Sequence, residues 1–184
     1  MTTRSRLEKP ALTTSNPDTP AAVRVWPDRR FLLQRPAHFF ALGFGAGLSR
    51  IAPGTLGTLL ALPLFALLMQ TPEPVHYAVI AVLFGFGIQC CDIAGRNLGV
   101  ADHGSIVWDE IVAMLLVLEF TPQAWQWWLL AFLLFRLFDI SKPFPIRQFD
   151  ARLKGGFGVM FDDLLAAIYA IAAMKALQWL MTSY

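Results

Sequence analysis

Apolar and polar positions along this chain fall into long blocks. From Phe39 onward, apolar runs cover residues 55–69, 75–91, 111–120, 124–138 and 164–180, the last with Lys175 as its one charged residue. Short segments containing Gly and Pro separate them and carry nearly all the remaining charge. Blocks of this length predict helices. The turn signal Gln70-Thr71-Pro72-Glu73-Pro74 folds the first two runs into a helical hairpin. Thr121-Pro122 divides a second pair, because proline disfavours helix in the residue before it. Residues 1–30 are rich in Thr, Ser, Pro and Arg and contain no apolar run able to form the core of a secretory signal. The expected organisation is a flexible cytoplasmic N-terminal tail over 1–37 and a membrane-embedded unit over 38–184.

A bilayer-crossing helix needs about 20 apolar residues, with roughly 17 to 25 tolerated. Several runs are short, so crossing requires tilt or extension through flanking polar residues, and a soluble bundle is the competing reading. The expected fold class is all-α: a polytopic membrane helical bundle of about four to five membrane helices with short polar cytoplasmic loops. Lys and Arg are retained preferentially on the cytoplasmic side. The turns at 70–74 and 120–123 hold neither, which makes them external and gives five crossings with the tail inside. Three polar segments, 49–58, 92–110 and 139–163, then gather on the cytoplasmic face, where an active site would lie. Trp125, Trp127 and Trp128 read as an aromatic belt beside an outer turn, and His38 and His76 as interfacial residues.

Composition sharpens this picture. The 184 residues suit one domain, and only 15% are charged against about 25% in an average soluble domain. With 56% hydrophobic residues and a mean hydropathy of +0.52, the chain is not a disordered protein and fits an ordinary soluble enzyme poorly. A net charge of +2 does not by itself point to nucleic acid, and the adjacent Cys90 and Cys91 offer no disulfide or zinc framework. No nucleic acid and no obligatory protein partner are expected.

The candidate chemistry lies in the acids. Carboxylates are expensive near hydrocarbon, so those flanking apolar helices mark a site unless they merely cap helix ends. Asp109-Glu110 opens the third run, Asp162-Asp163 opens the last, and Asp139 closes the fourth between Arg136 and Lys142. One such pair is explained by the helix dipole, but two pairs on one face need another partner. A hard divalent cation such as magnesium takes oxygen ligands and retains waters for a phosphate-bearing substrate. Lys142 and Arg147 lie in a segment stiffened by Pro143 and Pro145, suited to an anion, although juxtamembrane cations also simply set orientation. Gly54-Thr55-Leu56-Gly57-Thr58 follows Pro53 at a helix start whose N–H groups suit a phosphate. Lys154-Gly155-Gly156-Phe157-Gly158 allows either close approach to a ligand or a flexible linker. Cys90 and Arg96 share the spacing of cysteine-dependent phosphatases, but without a glycine-rich cradle the match reads as coincidence. His103 with Ser105 is either a proton donor to a leaving oxygen or a turn.

Four segments carry a family resemblance. They are residues 43–49 with Ala52-Pro53-Gly54-Thr55, residues 102–110, residues 136–143, and residues 155–160 with Asp162-Asp163. In order and in register over about 38–180, they resemble the phosphatidylglycerophosphatase A family of bacteria. The resemblance implies a phosphatase domain performing magnesium-dependent hydrolysis of phosphatidylglycerophosphate to phosphatidylglycerol and phosphate, in a multi-pass protein of the inner membrane. It implies Asp109, Glu110, Asp139, Asp162 and Asp163 as metal ligands or catalytic carboxylates. It also implies Lys142, Arg136 and Arg147 as phosphate-binding or structural cations. His103, Gly54 and Thr55 complete the candidate set from the residue reading above. Asp92 falls outside the matching motifs.

Two other classes compete. A transporter would place acids near the bilayer midplane, whereas these cluster at run ends. A non-catalytic lipid-binding protein has a use for the cations but none for paired acids. Within enzymes, a phosphatidyltransferase is the nearest rival, and the aspartate spacing associated with that family is missing.

Overall fold

The apolar blocks become helices with defined stops. In the computed structural model, which describes residues 26–183, the order is α1 (Arg29–Gln34), α2 (Pro36–Ala41), a 3₁₀ segment (Gly43–Leu48), α3 (Pro53–Leu68), α4 (Glu73–Leu98), α5 (Trp108–Glu119), α6 (Trp125–Ser141), α7 (Ile146–Arg152) and α8 (Gly155–Thr182). No strand occurs among the described residues, so the all-α expectation holds. Pro36, Pro53 and Pro74 sit in first helical turns, where a missing N–H leaves no helical bond unmade. Gly99 ends α4 at φ 72, a left-handed conformation that glycine adopts without strain.

The core is built around α5. Ile111, Val112, Ala113, Met114, Leu115, Val117 and Leu118 are all buried, on every side of that helix. α3, α4, α6 and α8 pack around it, and α8 also packs along α4 and α6. Its 12 residues extend about 18 Å at 1.5 Å per residue, well short of a hydrocarbon core of about 30 Å. The run at 111–120 is therefore apolar because protein surrounds it. Only α4 and α8, with 26 and 28 residues, are both long and apolar enough to cross a membrane among the described residues. α3 and α6, with 16 and 17 residues, are shorter. Large apolar side chains also face outward, among them Leu67, Val82, Leu129, Leu133 and Ile168. An outer wall of this kind suits an apolar surrounding rather than water.

Several segments differ from the sequence expectation. Residues 1–25 of the expected tail lie outside the described residues. From Trp26 onward the chain is bound to the bundle: Trp26 Nε1 donates to the Leu48 carbonyl at 3.0 Å, and Leu32 of α1 is buried. Asp28 caps α1 by accepting from the Phe31 N–H at 2.8 Å. His38 is only 1% exposed and joins two elements instead of lying at an interface. Its Nε2 accepts from Asn97 Nδ2 at 2.7 Å, which places the proton on Nδ1, 2.8 Å from the Phe31 carbonyl oxygen. The glycine segment at 155–158 is the first turn of α8 and not a flexible linker. A Cβ at Gly156 would sit 2.7 Å from the Asp92 backbone nitrogen, so glycine lets α8 lie directly on α4.

Candidate active site: a buried carboxylate cluster at one end of the bundle

The three polar segments meet at one end. The first turn of α5 brings Asp109 and Glu110, and two bonds fix its position. Val107 N–H donates to the Ala41 carbonyl at 2.9 Å, and Trp108 Nε1 donates to the Leu83 carbonyl at 3.1 Å. The Trp108 ring is edge-packed by Phe40, Phe44 and Phe86, so the turn that carries both acids is rigidly seated. Asp162 and Asp163 lie two turns inside α8, so they do not cap it, contrary to the reading that they open the helix. Both are buried, at 5% and 3% exposed. α6 contributes Arg136, Asp139 and Lys142 from its last turns, and α3 contributes Pro53, Gly54 and Thr55 from its first.

Asp109, Glu110 and Asp163 each present one carboxylate oxygen, and these oxygens lie within 4.8 Å of one another. Asp139 is close enough to Asp163 for the two carboxylates to repel. The Arg136 guanidinium joins the group through Nη1, which bonds Asp139 and stands 3.6 Å from Glu110 Oε1. Lys142 Nζ pairs with Asp162 Oδ2. Adjacent residues on a helix point about 100° apart, and here the pair divides accordingly. Asp162 meets the α6 lysine, whereas Asp163 enters the cluster. Gly54 is tightly placed, since a Cβ there would run into Glu110 Oε1 and stand 3.0 Å from Arg136 Nη1. Glycine thus lets the α3 N-terminus abut the acids.

Three of these buried oxygens, Asp109 Oδ1, Glu110 Oε2 and Asp163 Oδ2, have no hydrogen-bond partner among the described residues, and neither does Arg136 Nε. A buried acceptor left unmatched costs about 1–3 kcal/mol, and more when charged. The close approach of like charges adds to that cost. A group that brings positive charge and accepts oxygen ligands would offset both, and an oxygen-only donor set fits a hard divalent cation.

The other candidate residues make contacts of their own. His103 is buried; its Nδ1 accepts from the Ser105 N–H at 3.2 Å and lies 2.8 Å from Ser105 Oγ. Its ring tilts against Trp26 with centroids 5.3 Å apart. Arg147 is exposed on α7 and shares a depression with Lys142, Phe144, Gln148 and Arg152, so Lys142 links that surface to Asp162. Thr55 is half-buried in the uncapped first turn of α3. Asp92 accepts from the Gly156 N–H at 3.4 Å and pairs with Arg96 at 2.6 Å, a link between α4 and α8 outside the acid cluster. Arg96 is thereby engaged away from the buried Cys90, and nothing joins the two as a phosphatase pair would be joined. One feature beside the cluster escaped the sequence reading: an apolar groove that runs from Tyr77 to Asp109.

Fold and site together define an all-helical protein with a buried cluster of carboxylates at one end of its bundle. Residues 39–178 match the model of the family described as phosphatidylglycerophosphatase A. The chain is 46% identical over 157 residues to phosphatidylglycerophosphatase A of Haemophilus influenzae, covering 84% of this chain and 96% of that protein. It is 41% identical over 140 residues to phosphatidylglycerophosphatase A of Escherichia coli K12, covering 76% and 81% respectively. A relative from Bacteroides thetaiotaomicron, 37% identical over 166 residues with 81% and 99% covered, carries a provisional name as a phosphatidylinositol-3-phosphatase. No solved structure matches the chain. The chain belongs to the phosphatidylglycerophosphatase A family and is a phosphoric monoester hydrolase.

Proposed function

We propose that the chain removes the terminal phosphate of phosphatidylglycerophosphate, yielding phosphatidylglycerol and inorganic phosphate at the cytoplasmic face of the bacterial inner membrane. The observation that carries this reading is the set of buried carboxylate oxygens without partners, set beside Arg136, Lys142 and the α3 N-terminus. In the proposed topology α3, α4, α6 and α8 are embedded in the bilayer facing lipid, and the shorter α5 runs between the same two ends inside them, shielded by the other four. The outward apolar side chains of these helices support it.

Asp109, Glu110 and Asp163, with Asp139 and Asp162 adjoining, would hold magnesium, which supplies charge neutralisation for phosphate oxygens and lowers the pKa of a bound water. The protein's own groups do the rest. Asp139 orients the Arg136 guanidinium, whose Nε–H is unmatched and suits an oxygen of the phosphate. The N–H groups of Gly54 and Thr55, lying before the first helical bonds of α3, provide further anion donors. Lys142, held by Asp162, and Arg147 face the surface depression through which the headgroup would enter. Water adds to phosphorus as the ester P–O bond breaks. A carboxylate of the cluster takes the water's proton, and the glycerol oxygen leaves with one. The carboxylate that took the water's proton returns it to that oxygen, and the Nε2–H of His103 is proposed to hydrogen-bond the oxygen as it leaves. Because Nδ1 accepts from the Ser105 N–H, the neutral ring carries its proton on Nε2.

The Bacteroides relative supplies the second substrate to try, phosphatidylinositol 3-phosphate. Phosphate release by the purified protein in detergent, measured on both lipids with magnesium and with chelator, tests the reading. The expected result is magnesium-dependent release, faster from phosphatidylglycerophosphate. Faster release from the inositol lipid would overturn the substrate assignment, and release undiminished by chelator would overturn the metal. Folded protein that releases no phosphate from either lipid would return the chain to transport or lipid binding.

A further inference from the structure

A groove of about 280 Å³ lies between α4, α5 and α8. Its walls include Tyr77, Ile80 and Phe84 on α4, Leu116 on α5 and Leu164 on α8, and it reaches Asp109 at the carboxylate cluster. Tyr77 and Phe84 are seven residues apart, as are Asp109 and Leu116, so each helix contributes a wall about 10 Å long. α4 and α5 run antiparallel, which puts Tyr77 beside Leu116 and Phe84 beside Asp109. The bond from Trp108 Nε1 to the Leu83 carbonyl confirms that register. The groove is therefore a channel with an apolar length and one charged end.

Its surroundings limit what can occupy it. α4 and α8, which form two of its walls, are the helices long and apolar enough to cross a membrane. The Tyr77 hydroxyl donates to Glu73 Oε1 at 3.4 Å, toward the chain's polar turn, and leaves its ring to the wall. Water in the groove would have too few polar partners to be held in place. A hydrocarbon chain matches the lining, and the Asp109 end places it next to a site suited to phosphate. We propose that this groove receives one acyl chain of the phospholipid whose headgroup lies at the carboxylate cluster. The proposal rests on the phosphatase reading for the identity of that headgroup. The enzyme then recognises its lipid by the chain as well as by the phosphate. An acyl chain threaded between helices also fixes how deep the headgroup sits, and so aligns the scissile phosphate with the acids.

Photo-crosslinking of the full chain in lipid nanodiscs tests this. The probes are phosphatidylglycerophosphate with a diazirine near the end of one acyl chain, and phosphatidylcholine with the same chain. The expected result is labelling of Ile80, Phe84 or Leu116 by the first probe only, with phosphatidylcholine labelling outward residues such as Val82 and Leu133. Ala81→Trp, at an exposed position on the groove's edge where no core packing is disturbed, should cut groove labelling about tenfold. It should also lower kcat/KM for the dioleoyl substrate about tenfold more than for the deacylated one. Equal groove labelling by both probes, labelling confined to Val82 and Leu133, or equal loss of kcat/KM on both substrates would overturn the proposal. Groove labelling by the phosphatidylglycerophosphate probe without phosphate release would support the groove while removing the phosphatase reading.

Discussion

Both ends of the bundle bury acids, and they treat them oppositely. At the end away from the carboxylate cluster, Glu119 Oε2 lies 3.0 Å from His76 Nδ1, and His76 Nε2 lies 3.0 Å from the Thr71 carbonyl oxygen. Both ring nitrogens there have a partner, and so does the acid. At the other end, Asp109, Glu110, Asp139 and Asp163 crowd together with Arg136 as the cation bonded among them, and three of their oxygens go unmatched among the described residues. A satisfied buried acid ties elements together, whereas an unsatisfied group of them holds a cost against later use. The contrast distinguishes the two ends without reference to residue type, since both use carboxylates, and on the proposed function it separates structure from chemistry.

Substitutions should break this contrast in a set order. Asp163→Asn has the largest expected effect, a loss of turnover on the order of a thousandfold, since the step depends on charge placed at the developing transition state. The same variant relieves repulsion, so with chelator present its melting temperature should rise by about 2–4 °C, which is about 1 kcal/mol for a chain of this size. A fall in both activity and melting temperature would mean that Asp163 holds the fold together. Arg136→Met removes the cation from the same end and leaves Asp139 and Glu110 uncompensated. A destabilisation of about 3 kcal/mol is expected, again with loss of phosphate release. Chemical denaturation monitored by circular dichroism reads it, and a variant as stable as the wild type would show that the ion pairs hold nothing.

The far end should respond differently. Glu119→Gln keeps a hydrogen-bonding shape but removes the charge beside His76, and should cost about 1–2 kcal/mol with turnover within about twofold of the wild type. A large loss of turnover would erase the distinction between the ends. The smallest effect belongs to Asp92→Asn, which weakens the link to the α8 N-terminus by about 0.5–1 kcal/mol. Its phosphate release should match the wild type, and a marked fall would bring Asp92 into the site.

Much of this arrangement was readable from residue order. Apolar blocks with Pro-containing breaks marked α3, α4, α6 and most of α8, and the placement of basic residues gathered the three polar segments at one end, where the structure brings them together. Hydropathy could not tell a helix surrounded by protein from one facing lipid, so the pattern did not show that α5 is a 12-residue rod buried among the others. The start of α8 was hidden because glycine has low helix propensity. Residues 155–158 are helical owing to their contact with α4, a tertiary cause that local pattern does not carry. The different partners of Asp162 and Asp163 were equally hidden, since neighbours in sequence reveal no facing until the helix is placed. His38 and His76 read as interfacial because their partners, Asn97 and Glu119, lie 59 and 43 residues away.

The central claim is that the unmatched carboxylates form a cation site, and titration calorimetry measures this most directly. Magnesium would be titrated into the detergent-purified wild type, Asp109→Asn and Glu119→Gln, with no lipid substrate present. The account predicts saturable binding by the wild type and by Glu119→Gln, and its loss in Asp109→Asn. Binding that survives Asp109→Asn, or that disappears with Glu119→Gln, would contradict it.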